Sequence, residues 1–166
     1  MSESLFQSAD VATSGKDEWL TPPGIIRALQ PFDLDPCAPV NPPWHLADKT
    51  FTCFDNGLIK EWAGFVWCNP PYSDAGKWLA RMASHEGGGI ALVFARTETE
   101  AFYQHVWLKA TALYFIKGRL NFHHVTGKIG SASAPAPSVL IAYGETAVTR
   151  MQAAIPLLPL GKFIRL

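Results

Sequence analysis

The chain has 166 residues, 48% of them hydrophobic and 17% charged, with six Trp and ten Phe. That is enough for one domain with a core built largely from aromatic rings, and it excludes a disordered chain. Fourteen basic residues balance fourteen acidic ones, so a nucleic-acid surface has to be a local basic face offset by acid elsewhere.

Residues 1–16 are polar and unpatterned and read as a loose arm before a single domain over 17–166. Thr21 followed by Pro22 has the form of an N-cap and a first helical residue, with Ile25, Ile26 and Leu29 on one apolar face. Taken alone, Thr21 is a plain cap, although a helix start also offers N–H groups to a ligand carboxylate. Phe32 to Leu34 forms a short strand ending in Asp35-Pro36-Cys37-Ala38. A carboxylate there is either an Asp-Pro turn or a ligand group, since ligands of open α/β sheets bind outside the carboxyl ends of strands. Thr50 to Phe54 alternates like a strand and runs into Asp55-Asn56-Gly57, a second acidic strand end.

Phe65 to Cys68 is a β-prone apolar run that stops at Asn69-Pro70-Pro71-Tyr72. Ser73 or Asp74 then caps a helix with Trp78, Leu79, Met82 and Ala83 on one face, ended by Gly87-Gly88-Gly89. Ile90 to Phe94 is a buried strand with Arg96 just beyond its end, placed to meet a phosphate or a local acid. Thr97 and Glu100 have capping-box spacing before a helix through Phe102, Tyr103, Val106 and Trp107. Ala112 to Ile116 is a further strand, followed by Lys117, Arg119, Phe122, His123 and His124, a set that suits a nucleic-acid backbone or base. Val125 to Pro137 is rich in Gly, Ser, Ala and Pro and reads as a flexible loop. Ser138 to Tyr143 is a strand, and the apolar tail from Ile155 packs on the body as an edge strand.

Cys37, Cys53 and Cys68 are widely spaced in sequence, odd in number and without a CxxC pair. They read as buried thiols in a reducing compartment, not as a disulfide framework or zinc ribbon. The His pair lacks nearby Cys or Asp, so no metal is expected. No glycine-rich phosphate loop occurs. No apolar run reaches transmembrane length and no signal peptide is legible; the expectation is a cytoplasmic protein with no membrane partner.

The chemistry centres on Asn69-Pro70-Pro71-Tyr72. Proline fixes φ, lacks an N–H and holds the preceding residue extended. The segment is therefore a rigid cup holding a side-chain amide oxygen, the Pro70 carbonyl and an aromatic face. Such a cup suits a planar amine whose lone pair is conjugated into a ring. Two acceptors take its N–H bonds, favour a pyramidal nitrogen and aim the lone pair at an electrophile. The proton can leave after alkylation, so no strong base is required. A second copy, Asn41-Pro42-Pro43-Trp44, has no strand leading into it and reads as a surface loop. Several amines fit the cup: adenine N6, cytosine N4, guanine N2 in RNA, or a protein glutamine. A non-catalytic nucleic-acid-binding module is the alternative from another class.

The order of a Thr-Pro-Pro helix, acidic strand ends at Asp35 and Asp55, and Asn69-Pro70-Pro71-Tyr72 resembles S-adenosylmethionine-dependent DNA adenine-N6 methyltransferases. More narrowly, it is similar to the compact Dam-like enzymes of phages and prophages. Residues 17–22, 33–38, 67–72 and 118–122 carry the resemblance, which spans about residues 17–144. It implies a doubly wound α/β fold, a Rossmann-like methyltransferase sheet with helices on both faces. Thr21, Asp35, Pro36, Cys37 and Asp55 would hold S-adenosylmethionine, with Thr21 at its methionine end and Asp55 at its adenine amine. Asn69, Pro70, Pro71 and Tyr72 would hold a target adenine flipped out of double-stranded DNA, with Phe122 as the second aromatic. Arg96, Lys117 and Arg119 would meet the DNA, 117–137 being the recognition insert, aided by the loop over 39–49. The family suggests GATC as the target. The chain departs from the family in one respect: Asp35-Pro36-Cys37-Ala38 stands in the position of its first cofactor motif, which often carries glycines, and has none.

Overall fold

The computed structural model describes residues 18–166; the arm expected over 1–16 lies outside them. Seven strands form one sheet in the order β3-β2-β4-β5-β8-β6-β9. They are β2 (Leu34–Asp35), β3 (Lys49–Thr50), β4 (Val66–Cys68), β5 (Gly89–Phe94), β6 (Ala112–Ile116), β8 (Ser138–Tyr143) and β9 (Gly161–Arg165). Two further strands, β1 (Trp19–Leu20) and β7 (His123–His124), pair apart from it. β2, β3, β4 and β5 are mutually parallel, whereas β8 runs antiparallel to both β5 and β6, and β9 antiparallel to β6. The doubly wound half is thus joined to an antiparallel half.

Strand alternation divides the interior. Trp67, Ile90, Leu92, Leu140 and Ala142 face one core, while Val66, Cys68, Ala91, Val93, Val139 and Ile141 face the other. A sheet buried on both faces needs near-continuous apolar runs, as β5 is and as β8 is from Val139 onward. The first core is covered by α1 (Pro23–Leu29) and α4 (Glu145–Ala154). The second is covered by α2 (Ala75–Ser84), which buries Trp78, Leu79 and Met82, and by the short α3 (Glu100–Phe102). Helices therefore lie on both faces, as a Rossmann-like methyltransferase fold requires.

Topology positions everything that follows. From β2 the chain steps outward to β3, then crosses back to β4 on the other side of β2. The crevice outside the carboxyl ends of β2 and β4 is the switch point where ligands of such sheets bind. β6 shares the direction of β5, since both are antiparallel to β8. The end of β6 and the start of β8 consequently lie at that same edge, and residues 117–137 connect them over it.

Several local expectations are corrected. Thr21 is not an N-cap: Pro22 holds that position, no side chain caps α1, and Thr21 is fully buried. The helix at Glu100 is capped by Thr99, whose hydroxyl accepts from Phe102 N–H, and not by Thr97; it gives way to a π-helical turn over Tyr103–Trp107. β3 covers only Lys49–Thr50; of the rest of the expected strand, 51–52 are irregular and 53–54 form a turn. Residues 125–137 are not simply a loose loop. Ile129 bridges back to His123, and Ala134 is buried with its N–H donated to the Leu120 carbonyl. Cys53 is exposed, while Cys37 and Cys68 are neighbours with sulfurs 3.8 Å apart.

Candidate active site

The two sides of the crevice meet at named atoms. β2 ends in Asp35, 3% exposed, whose carboxylate accepts from the Cys37 N–H at 3.2 Å. Burial pushes the Asp35 carboxyl up to about 7, against the weaker lowering effect of its bond with Cys37. From the other side, the Asn69 carbonyl accepts from the Cys37 thiol at 3.5 Å. The Cys37 thiol is raised above its usual range by its contact with Cys68 and by burial. The two strand ends are thus linked through sulfur.

Asn69 itself is anchored. Its side-chain N–H donates to the Trp19 carbonyl at 3.1 Å. An amide held by its nitrogen keeps its oxygen as an acceptor, so the orientation is defined by a hydrogen bond. Pro70 is buried and Pro71 is half-buried. Tyr72 stacks on Phe94, at the end of β5, with ring centroids 4.1 Å apart and planes 20° from parallel. Phe122, buried, lies nearly perpendicular to both rings, its centroid 6.4 Å from that of Tyr72 and 6.5 Å from that of Phe94.

Three cavities run across this centre. One of about 310 Å³ is walled by Pro36, Cys37, Ala38, Asn56, Gly57, Pro71 and Trp78. A narrow one of about 20 Å³ lies between Glu18, Asp35, Cys37 and Asn69. A third of about 320 Å³ is bounded by Trp19, Tyr72, Phe122 and residues 131–135. The first two share Cys37 and Pro71, and the last two share Trp19. A fourth, of about 450 Å³, lies on the Phe94 side of Tyr72 and has Arg96 in its wall.

Most of the site residues expected from sequence therefore converge. Thr21 is adjacent through β1, and its buried hydroxyl has no hydrogen-bond partner among the described residues. Asp55 instead turns back on its own loop, accepting from the Thr52 N–H at 2.8 Å and the Thr52 hydroxyl at 3.1 Å. Those bonds hold its carboxyl below the usual range. The cavity wall beside it is made by Asn56 and Gly57. A Cβ on Gly57 would collide with the Pro36 carbonyl, so glycine permits the loops after β2 and β3 to approach. Arg96, Lys117 and Arg119 are exposed at the same edge, with the Arg119 guanidinium donating to the Ala134 carbonyl at 3.5 Å. The Asn41 copy stays outside: Asn41 is exposed with φ of 51°, and Trp44 packs edge-on against His123. Among the described residues, no group of three or more His, Cys, Asp or Glu is arranged to hold a metal, and no helix is long and apolar enough to cross a membrane.

Sequence reasoning missed two participants. In sequence Phe94 reads only as part of a strand, and its position opposite Tyr72 depends on the β4–β5 register, Cys68 facing Ala91. Trp19 was part of a motif, but its service through a main-chain carbonyl leaves no side-chain signature.

A parallel half-sheet with an acid beyond β2 and an Asn-Pro-Pro-Tyr turn beyond β4, joined to an antiparallel half, is the architecture of a Rossmann-like methyltransferase. The model of the family described as DNA N-6-adenine-methyltransferase (Dam) matches residues 8–154. The chain belongs to that family and is an adenine-specific DNA methyltransferase. No curated protein gives a significant match.

Proposed function

We propose that this chain methylates N6 of an adenine rotated out of double-stranded DNA, with S-adenosylmethionine as donor. The observation that carries the reading is the aromatic cavity of about 320 Å³ bounded by Trp19, Tyr72 and Phe122, of which Trp19 also anchors the Asn69 amide through its carbonyl. The Asn69 side-chain oxygen and the Pro70 carbonyl each accept one N–H of the amine. Tyr72, backed by Phe94, gives one ring contact, and Phe122 another. Unstacking a base costs a few kcal/mol, and each aromatic contact returns ~1–3 kcal/mol. The remaining acceleration comes from alignment of the amine by the rigid double-proline turn.

The residues present fit the donor. Thr21 brings an unpartnered buried hydroxyl and Asp35 a buried carboxylate. Pro36 and Cys37 line the cavity between the β2 and β3 loops, and Asp55 closes the loop beside it. When bound, S-adenosylmethionine supplies an electrophilic sulfonium methyl group. Thr21 would hold its methionine end and Asp35 its amino-acid or ribose part, and the loop around Asp55 to Gly57 would receive its adenine. Arg96, Lys117 and Arg119 hold phosphates, and 117–137 together with the 39–49 loop reads the target within a single domain over 17–166. The reaction belongs in the cytoplasm, where DNA and donor meet.

The test is Asn69→Ala, assayed for cofactor binding by calorimetry and for transfer in a single turnover. Loss of transfer with cofactor affinity retained is expected. Full activity in that variant contradicts the proposal.

A further inference from the structure

We propose that β1 is a positioning strand that transmits the state of the DNA-facing loop to the Asn69 amide. The inference rests on the role given above to the Asn69 oxygen, and goes beyond it.

The geometry points to a relay of two hydrogen-bonded edges. β7 pairs antiparallel with β1, Trp19 opposite His124 and Leu20 opposite His123. On its other side β7 is held by the returning chain: His124 N–H donates to the Lys128 carbonyl at 2.8 Å, and Gly130 N–H to the Phe122 carbonyl at 2.9 Å. Main-chain groups alternate in direction along an antiparallel ladder. Phe122 and His124 therefore spend their polar groups on the 128–130 segment, and His123 turns its own toward Leu20. Trp19, one residue along, turns its carbonyl to the opposite edge of β1, where it accepts from the Asn69 side chain at 3.1 Å. β1 is thus bonded to the loop by one edge and to the reactive amide by the other.

The Trp19 ring belongs to the same device. It meets the His124 ring edge-on at 6.3 Å, and a Cβ on Gly130 would lie 3.4 Å from it. It also borders the cavity that Tyr72 and Phe122 share. A displacement of residues 123–130 moves the strand whose carbonyl orients Asn69.

The consequence is chemical. An Asn amide rotated by 180° presents N–H groups where an acceptor is needed, and an amine cannot donate to them. With the Trp19 carbonyl in place, the amide nitrogen is occupied and the oxygen faces the amine. The loop that contacts DNA thereby sets the orientation of the group that receives the base, which ties transfer to correct engagement of the duplex.

The experiment compares His123→Pro with His123→Ala in the whole protein. Both lose the ring, but only proline lacks the N–H that faces β1. The expected result is single-turnover transfer lower in the proline variant by about tenfold, the scale of one lost positioning hydrogen bond, with cofactor affinity equal in the two. The Asn69 side-chain N–H protons, assigned by NMR, should exchange with solvent faster in the proline variant alone. Equal transfer rates in the two variants, or slower transfer with unchanged Asn69 exchange, overturn the inference. Should the proline variant fail to fold, Gly130→Ala gives the second reading: its Cβ falls 2.8 Å from the Phe122 carbonyl and 3.4 Å from the Trp19 ring. Faster Asn69 exchange with slower transfer supports the relay; slower transfer with unchanged exchange contradicts it. Asn69→Ala separates the two levels: full activity there removes the role of Asn69 itself, whereas unchanged transfer or unchanged Asn69 exchange in the His123 and Gly130 variants removes only the relay.

Discussion

Asp35 is a carboxylate placed where ionisation is costly. Its pKa rises from 3.8 to about 7 because it is buried. A folded pKa above the unfolded one means that the native state holds the extra proton between those values, so stability falls as pH rises from about 4 to about 7. Thermal melts of the free protein should show that decline, and Asp35→Asn should flatten it. An unchanged slope in the variant would assign the decline to other groups. A cationic ligand beside Asp35 favours its charged form, so cofactor binding near pH 6.5 should release a proton. Calorimetry in buffers of different ionisation enthalpy measures that release. Tyr72 offers the second test at this scale. Tyr72→Ala should reduce capture of a fluorescent base analogue by about tenfold, in line with the loss of one stacking contact, while cofactor affinity changes little. Equal fluorescence responses in wild type and variant would contradict the stacking role.

Among the elements, the turns after β2, β3 and β4 wall the crevice, and Gly57 sets the spacing of the first two. Gly57→Ala places a methyl group against the Pro36 carbonyl and within 3.2 Å of the Trp78 ring. The loops must separate, with an expected loss of about 1–3 kcal/mol and weaker cofactor binding; denaturant titration and calorimetry check both. Wild-type stability together with wild-type affinity would contradict this packing. Much at this scale was legible in sequence. β4 and β5 were evident as apolar runs, and α2 showed its Trp78-Leu79-Met82 face. α4 was not legible, because two of its four buried residues are alanines and its patterning is weak. β1 was missed because a strand of two residues has no period to read. Thr21 misled because Thr-Pro is ordinary cap chemistry, whereas here tertiary packing buries the hydroxyl.

At the scale of the molecule, net charge is zero, so contact with DNA phosphates falls to individual cations. Arg96, Lys117 and Arg119 project from the edge that also holds Asn69. If Arg119 meets a phosphate, Arg119→Gln should weaken DNA binding across sequences and lower the slope of log K against log salt by about 0.9. An unchanged slope would place Arg119 off the backbone. The convergence of Asp35, Cys37 and Asn69 was suggested by motif order, but the link between them required the sheet order, which brings β2 beside β4. The role of residues 123–130 in holding β1 was invisible, since it is written in main-chain hydrogen bonds.

The central claim is that the Asn69 cup receives adenine. It is tested most directly by sequencing modified bases in DNA from cells expressing the protein, in parallel with cells expressing Asn69→Ala. The account predicts N6-methyladenine in one recurring sequence context with the wild-type chain and none with the variant. Methylation at cytosine N4, or N6-methyladenine that persists in Asn69→Ala, would contradict it.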